Sequence, residues 1–162
     1  MKEIIKIVSA DLNNPQHAQA IVNLLDMYAS DRMGGNHPLS DFAKENLISA
    51  FKKRSAIQPL LAFVGNAPAG LAICMEGFST FSCQPLLNIH DLAVSPQFQG
   101  RGIGRQLVEH ATSLAEKLGC CKVTLEVLEG NAPARGLYKS CGFINYELDP
   151  EMGSAMFLQR LL

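Results

Sequence analysis

Apolar residues along this chain recur with two periods, strand-like alternation and a helical three-to-four spacing, and the two trade places in blocks. Residues 3–8, EIIKIV, alternate well enough for a first strand. After the start signal Asn13-Asn14-Pro15, the residues Ala18, Ile21, Val22, Leu25 and Tyr28 fall on one face of a helix. Residues 33–38, MGGNHP, form a loop by composition. Ser40 is placed to cap a second helix with Ala43, Leu47, Ala50 and Phe51 as its apolar positions. Residues 59–64 and 70–77 read as a hairpin around the turn Gly65-Asn66-Ala67-Pro68. A strand over 86–94 follows Pro85 and is closed by Ser95-Pro96. Ile103, Leu107, Ala111, Leu114, Ala115 and Leu118 make a helical stripe, with Gly119 where a left-handed C-terminal cap belongs. Residues 122–128 are an alternating, β-branched strand, and 131–141 a short helix interrupted by Gly136 and stopped by Gly142. Two last strands are expected over 143–148 and 154–161. The order βααβββαβαββ is an α/β (α+β) arrangement with an antiparallel hairpin inside it, expected as a single domain over 1–162.

Composition narrows the function more by exclusion than by signal. A net charge of -1 gives no global field for nucleic acid or anionic membrane, so any ion site is local. The first apolar run is too short for a signal peptide, and no segment reaches the ~20 apolar residues of a membrane span, so a cytoplasmic protein is expected. Cys74, Cys83, Cys120, Cys121 and Cys141 have no paired spacing and read as reduced, mostly buried thiols. His17, His37, His90 and His110 are too scattered for a local zinc motif, and no metal is expected.

The chemistry is concentrated in residues 97–107, QFQGRGIGRQL. A strand ending at Val94 and a helix starting near Gly102 bring several helix N-terminal N–H groups to one spot, which suits a phosphate. Glycines let a ligand approach the backbone, and Arg101 and Arg105 can add charge-assisted hydrogen bonds. A flexible turn with solvated arginines fits the same composition. The alternating Gly100, Gly102 and Gly104 do not fit the dinucleotide pattern G-x-G-x-x-G, and no P-loop run is present.

The run Gln99-Gly100-Arg101-Gly102-Ile103-Gly104, preceded by Leu92-Ala93-Val94 and Ser95-Pro96, resembles the coenzyme A site of the GNAT superfamily of N-acetyltransferases. A second block agrees downstream: Leu125-Glu126-Val127, then Asn131, Ala134, Leu137-Tyr138 and Gly142-Phe143. The resemblance implies the GNAT fold, a mixed and mostly antiparallel sheet of about six or seven strands flanked by about four helices. It also implies acetyl-CoA as cosubstrate, with its pyrophosphate on the N–H groups from Gly100 to Arg105. The pantetheine arm would pair with Leu92, Ala93 and Val94, and the Leu92 N–H would serve as oxyanion donor. Asn131 matches a position that either contacts the cosubstrate or orders the helix start. Tyr138 matches the general acid that protonates the departing thiolate; a core aromatic is the competing reading.

The resemblance implies direct transfer to a primary amine in a ternary complex. The amine must lose a proton, because an alkyl ammonium is neutral in only about one molecule in a few thousand near pH 7. His90 sits where small-amine members carry a base, and strict alternation would put it on one face with Asn88, Leu92 and Val94, opposite Asp91. The competing readings are a strand histidine satisfied in the core, or a base at Asp91 or Glu126 instead, and a bulge at this point of the strand would undo the facing argument. The stretch 77–94 is similar to the polyamine and thialysine acetyltransferases, but His90 replaces their glutamate and Ala93 a bulkier residue. Asp26, Asp31 and Tyr28, under the expected roof of the amine pocket, could recognise a cation, and an exposed helix face would explain those acids equally well. A small-molecule amine is preferred over a protein N-terminus or lysine as acceptor, and a non-catalytic acyl-CoA-binding module is the rival of another class. A homodimer through the C-terminal strands is common in the resembling family.

Overall fold

The computed structural model describes residues 4–162. It contains nine regular elements in chain order: β1 (Ile5–Ser9), α1 (Pro15–Ser30), α2 (Asp41–Lys52), β2 (Ile57–Val64), β3 (Ala67–Ser79), β4 (Gln84–Val94), α3 (Ile103–Lys117), β5 (Val123–Leu125) and α4 (Ala132–Ser140). The expected start of the first strand at Glu3 lies outside the described residues. The chain divides into two compact units, one ending at Leu125 and one spanning Glu126–Leu162.

The first unit is built on a sheet of order β1-β2-β3-β4-β5. The first four strands are antiparallel neighbours, and β5 runs parallel to β4. Each helix start follows a local rule. Asn14 accepts from the N–H groups of Gln16 and His17 at α1, and Ser40 from that of Ala43 at α2. Gly119, with φ +71°, turns the chain out of α3 as a left-handed residue does after a helix end. One sheet face is packed by Ala20, Ile21, Leu24 and Leu25 of α1 and Phe51 of α2 against Leu61, Leu71, Ile73 and Ala93. On α1 the buried set therefore departs from the expected stripe. Ala18 and Val22 line an open groove beside Ile48 of α2, of about 530 Å³. The opposite face receives α3. A Cβ at Gly70 would come 2.8 Å from Ala93 O in β4, too close for any side chain without a backbone shift, and would also crowd Ile103 Cγ2 and Leu107 Cδ1 of α3 at 3.3 Å.

In the second unit Asn131 Oδ1 accepts the Ala134 N–H at 3.2 Å and starts α4, which runs through Gly136 without a break. The two last strands of the sequence reading are not formed among the described residues, and the sheet has five strands. Residues 143–148 and 154–161 are joined by Ala155 N–H to Tyr146 O (2.9 Å) and Ser154 Oγ to Glu147 Oε1 (2.9 Å), around a short turn at Pro150–Met152. Ile144, Leu148, Met156, Phe157 and Leu158 are exposed. Alternation marks a surface that would suit a sheet, but a strand exists only where a ladder partner lies alongside.

Candidate functional site

The turn after β4 is held shut from behind. Ser95 N–H donates to Ala69 O at 2.8 Å, and Gln99 Nε2 donates to Val94 O at 3.3 Å, which closes the loop onto the strand end. Gln99 thus supports the loop through its side chain. Gly100 and Gly102 have φ of +75° and +79°, a left-handed conformation that β-carbon sterics penalise. A Cβ at either would meet nothing within 4 Å, so the dihedral and not crowding calls for glycine.

Gly102 is the N-cap of α3 and supplies no side-chain acceptor, whereas Asn14, Ser40 and Asn131 cap the other three helices. The first-turn N–H groups of a 15-residue helix therefore receive no side-chain cap, and the helix dipole lies behind them, an arrangement that suits an anion. Ile103 is 1% exposed, so its side chain belongs to the core and only its backbone can serve the loop. Arg101 lies back over the Phe98 ring, 5.2 Å from the centroid, and donates to Gln97 O at 3.4 Å. Arg105 is exposed on the first turn of α3.

The other half of the site is inside β4. Its ladder with β3 shifts register between Ile73 and Cys74, which pair with Asp91 and Ile89, so His90 is the extra residue of a bulge. The expected sharing of a face by Asn88, His90, Leu92 and Val94 is thereby overturned. Ile73 and Met75 pack with the α1 side of the core, and their partners Asp91 and Asn88 lie on that face; Ile89 and Leu92 lie on the other. His90 itself is exposed. The parallel ladder to β5 has only the rungs Leu87↔Val123, Asn88↔Thr124 and Ile89↔Leu125, and ends just before the bulge. From Asp91 to Val94 the strand keeps its β3 partner and presents its other edge.

The electrostatics gather at the same point. Burial pushes the Asp91 carboxyl above its ordinary value, and the His90 charge pulls part of the way back. Burial also raises the Tyr28 phenol, helped by the negative charges of Asp91 and then Asp31. Asp31 is held at the end of α1, where its carboxylate accepts the Met33 N–H at 2.8 Å. The first unit thus brings Tyr28, Asp31, His90 and Asp91 into electrostatic contact, as the sequence could not show. The Cys74 thiol is buried and pushed up to about 12, and Cys120 is raised by burial, then by Glu76 and Cys121, so neither is primed as a nucleophile. Among the described residues no group of His, Cys, Asp or Glu converges as a metal site, and no helix is long and apolar enough to cross a membrane.

In the second unit Tyr138 is 8% exposed, its ring 5.8 Å from that of Phe143. Asn131 is the cap of α4, and Glu126 is exposed at the start of the unit. The sequence reading gave no role to the hydrogen bond from Asn88 Nδ2 to Thr124 Oγ1, 3.0 Å long. Its only trace there is a polar residue in the apolar run of β4.

The model of the Acetyltransferase (GNAT) family matches residues 21–143. A thialysine N-epsilon-acetyltransferase of Caenorhabditis elegans is 27% identical over 81% of this chain and 79% of its own. A ribosomal protein bS18-alanine N-acetyltransferase of Salmonella typhimurium is 46% identical, over 34% of this chain and 37% of its own. Among solved structures, an aminoglycoside acetyltransferase from an uncultured soil metagenomic sample, in complex with sisomicin, shares the fold with TM-score 0.75. It has 21% identity, over 98% of this chain and 97% of that one. The family match runs from within α1 to just beyond α4 and takes in both the glycine turn and the bulged strand, and the chain belongs to the GNAT family of acetyltransferases, which draw their acetyl group from acetyl-CoA.

Proposed function

We propose that this acetyltransferase moves the acetyl group of acetyl-CoA directly onto the primary amine of a small molecule, in a ternary complex without an acyl-enzyme. The observation that carries the reading is the end of the β4–β5 ladder at Ile89↔Leu125, one residue short of the bulge. An extended pantetheine arm fits along the edge of Leu92, Ala93 and Val94 as an added strand, with its pyrophosphate on the turn from Gly100 to Arg105. The Leu92 N–H is the donor for the oxyanion that forms as the amine nitrogen attacks the thioester carbon.

His90 takes the proton from the ammonium, with the Asp91 carboxyl next to it in the bulged strand. Tyr28, Asp31 and Asp91 supply negative charge and a phenol on the amine side. Tyr138 gives its proton to the departing thiolate, so the products are an acetamide and free coenzyme A. The small-molecule preference draws on the similarity to a thialysine enzyme, which extends over 81% of this chain; the similarity to the bS18-alanine enzyme is confined to 34% of it.

The test is thiol release from acetyl-CoA against polyamines, amino acids, aminoglycosides and peptides. Turnover is expected on a small amine, with Tyr138→Phe lowering kcat by roughly 100-fold while coenzyme A affinity stays within a factor of about two. Turnover confined to peptides would overturn the small-molecule reading, and full activity of Tyr138→Phe would remove Tyr138 from the chemistry.

A further inference from the structure

The β4–β5 ladder poses a problem of register. It has three rungs, contributed on the β5 side by Val123, Thr124 and Leu125. All three are partly buried, and nothing in their apolar character distinguishes one register from the next. A slip by one residue would turn every β5 side chain to the opposite face and move the point where β5 leaves β4. That point matters because the bulge at His90 and the open edge of Asp91 to Val94 begin there.

We infer that the hydrogen bond from Asn88 to Thr124 is the pin that fixes this register, and that Asn88 and Thr124 are positioning residues for the transfer reaction. The two residues are Cα partners in the middle rung, and Asn88 Nδ2 reaches Thr124 Oγ1 at 3.0 Å. The bond is specific to this register, since a slip by one carries the Thr124 hydroxyl through the sheet to the other face. On that other face the rungs on either side are packed by Leu87 and Ile89, both buried, which resist separation but not slippage.

Asn88 also shares the α1 face with Asp91. The pin is thus the last cross-strand side-chain pair on that face below the bulge. A polar pair exchanged for apolar residues of similar shape changes stability little, so its value here is in geometry. The proposal rests on the transfer reading above, because its kinetic effect is read at the amine side.

The experiment compares Thr124→Val, Asn88→Leu, the double variant and Thr124→Ser in the full-length protein. Thr124→Val and Asn88→Leu are each expected to lower kcat roughly tenfold, with coenzyme A affinity within about twofold of the parent. The double variant is expected to match Asn88→Leu, because Thr124→Val then removes no bond that is still present, and Thr124→Ser to recover the parent rate. Amide hydrogen exchange of the coenzyme A-bound protein, read at residues 122–126, is expected to accelerate in Thr124→Val and not in Thr124→Ser. That second readout needs no amine, so it separates failure of the pin from failure of the amine reading. Unchanged exchange in Thr124→Val, or losses from the two single variants that add in the double, would overturn the pin.

Discussion

The turn after β4 and the bulge inside it sit on one strand and handle charge in opposite ways. The turn works with backbone. Its donors are the first N–H groups of α3, its arginines are exposed or laid back on Phe98, and its glycines matter through their dihedrals. The bulge works with side chains. Burial and mutual charge act on Asp91 and Tyr28, and the backbone irregularity serves to place His90 and Asp91. The lesson is that one end should survive loss of side chains but not a change of φ, while the other should fail as soon as its extra residue or its titratable groups are removed.

Deleting His90 strikes hardest at that contrast. The remaining pairs Ile73↔Asp91 and Cys74↔Ile89 become consecutive, so the β3–β4 ladder closes into a regular one and the protein should still fold. Turnover is expected to fall by about 1000-fold, from loss of both the proposed base and the bend at which the proposed cosubstrate edge begins. His90→Gln keeps the extra residue and should lose less, with partial recovery as pH rises and the free amine becomes more abundant. A deletion variant with near-parental kcat would show that the bulge is incidental. Gly102→Val comes next. At φ +79° a β-branched residue is strained, and the expected result is a coenzyme A Kd raised by roughly 30-fold, measured by calorimetry. Arg101→Ala should change it only a few-fold, since that guanidinium is engaged with Phe98 and Gln97. A larger loss from Arg101→Ala than from Gly102→Val would reverse the backbone reading of the turn.

The same contrast explains what could be read before any coordinates. The glycine turn, the caps Asn14 and Ser40 and the exit at Gly119 depend on neighbours within a few residues, so short motifs reveal them. The bulge depends on how β4 lies against β3, and single-strand alternation places His90 on a face it does not keep. The pairing of Tyr28 with Asp91 needs α1 folded onto the sheet. The C-terminal segments show the converse: FINYEL has the composition of a strand, yet Ile144 is 91% exposed and Leu148 71%, because pairing is a property of two segments. Asn131, which the sequence leaves between a cosubstrate contact and a helix start, makes that cap with its side chain.

The smallest effect concerns stability at the bulge. The Asp91 carboxyl is raised in the folded protein, mainly by burial, so folding disfavours its charged form. Below the ordinary carboxyl value both states are protonated and Asp91 imposes no penalty. As pH rises through that value the unfolded chain ionises first, the folded protein holds more protons, and stability falls until the raised folded value is passed. Asp91→Asn removes this penalty while keeping the shape. The variant is therefore expected to melt slightly above the parent at pH 7, with the gap closing as pH is lowered toward 3. At the turn, by contrast, Arg101→Ala should shift the melting temperature alike at both pH values, since its contacts with the Phe98 ring and Gln97 O involve no titrating partner. Equal pH dependence for Asp91→Asn and the parent would mean that the carboxylate is already stabilised in the fold, and the side-chain half of the comparison would lose its electrostatic basis.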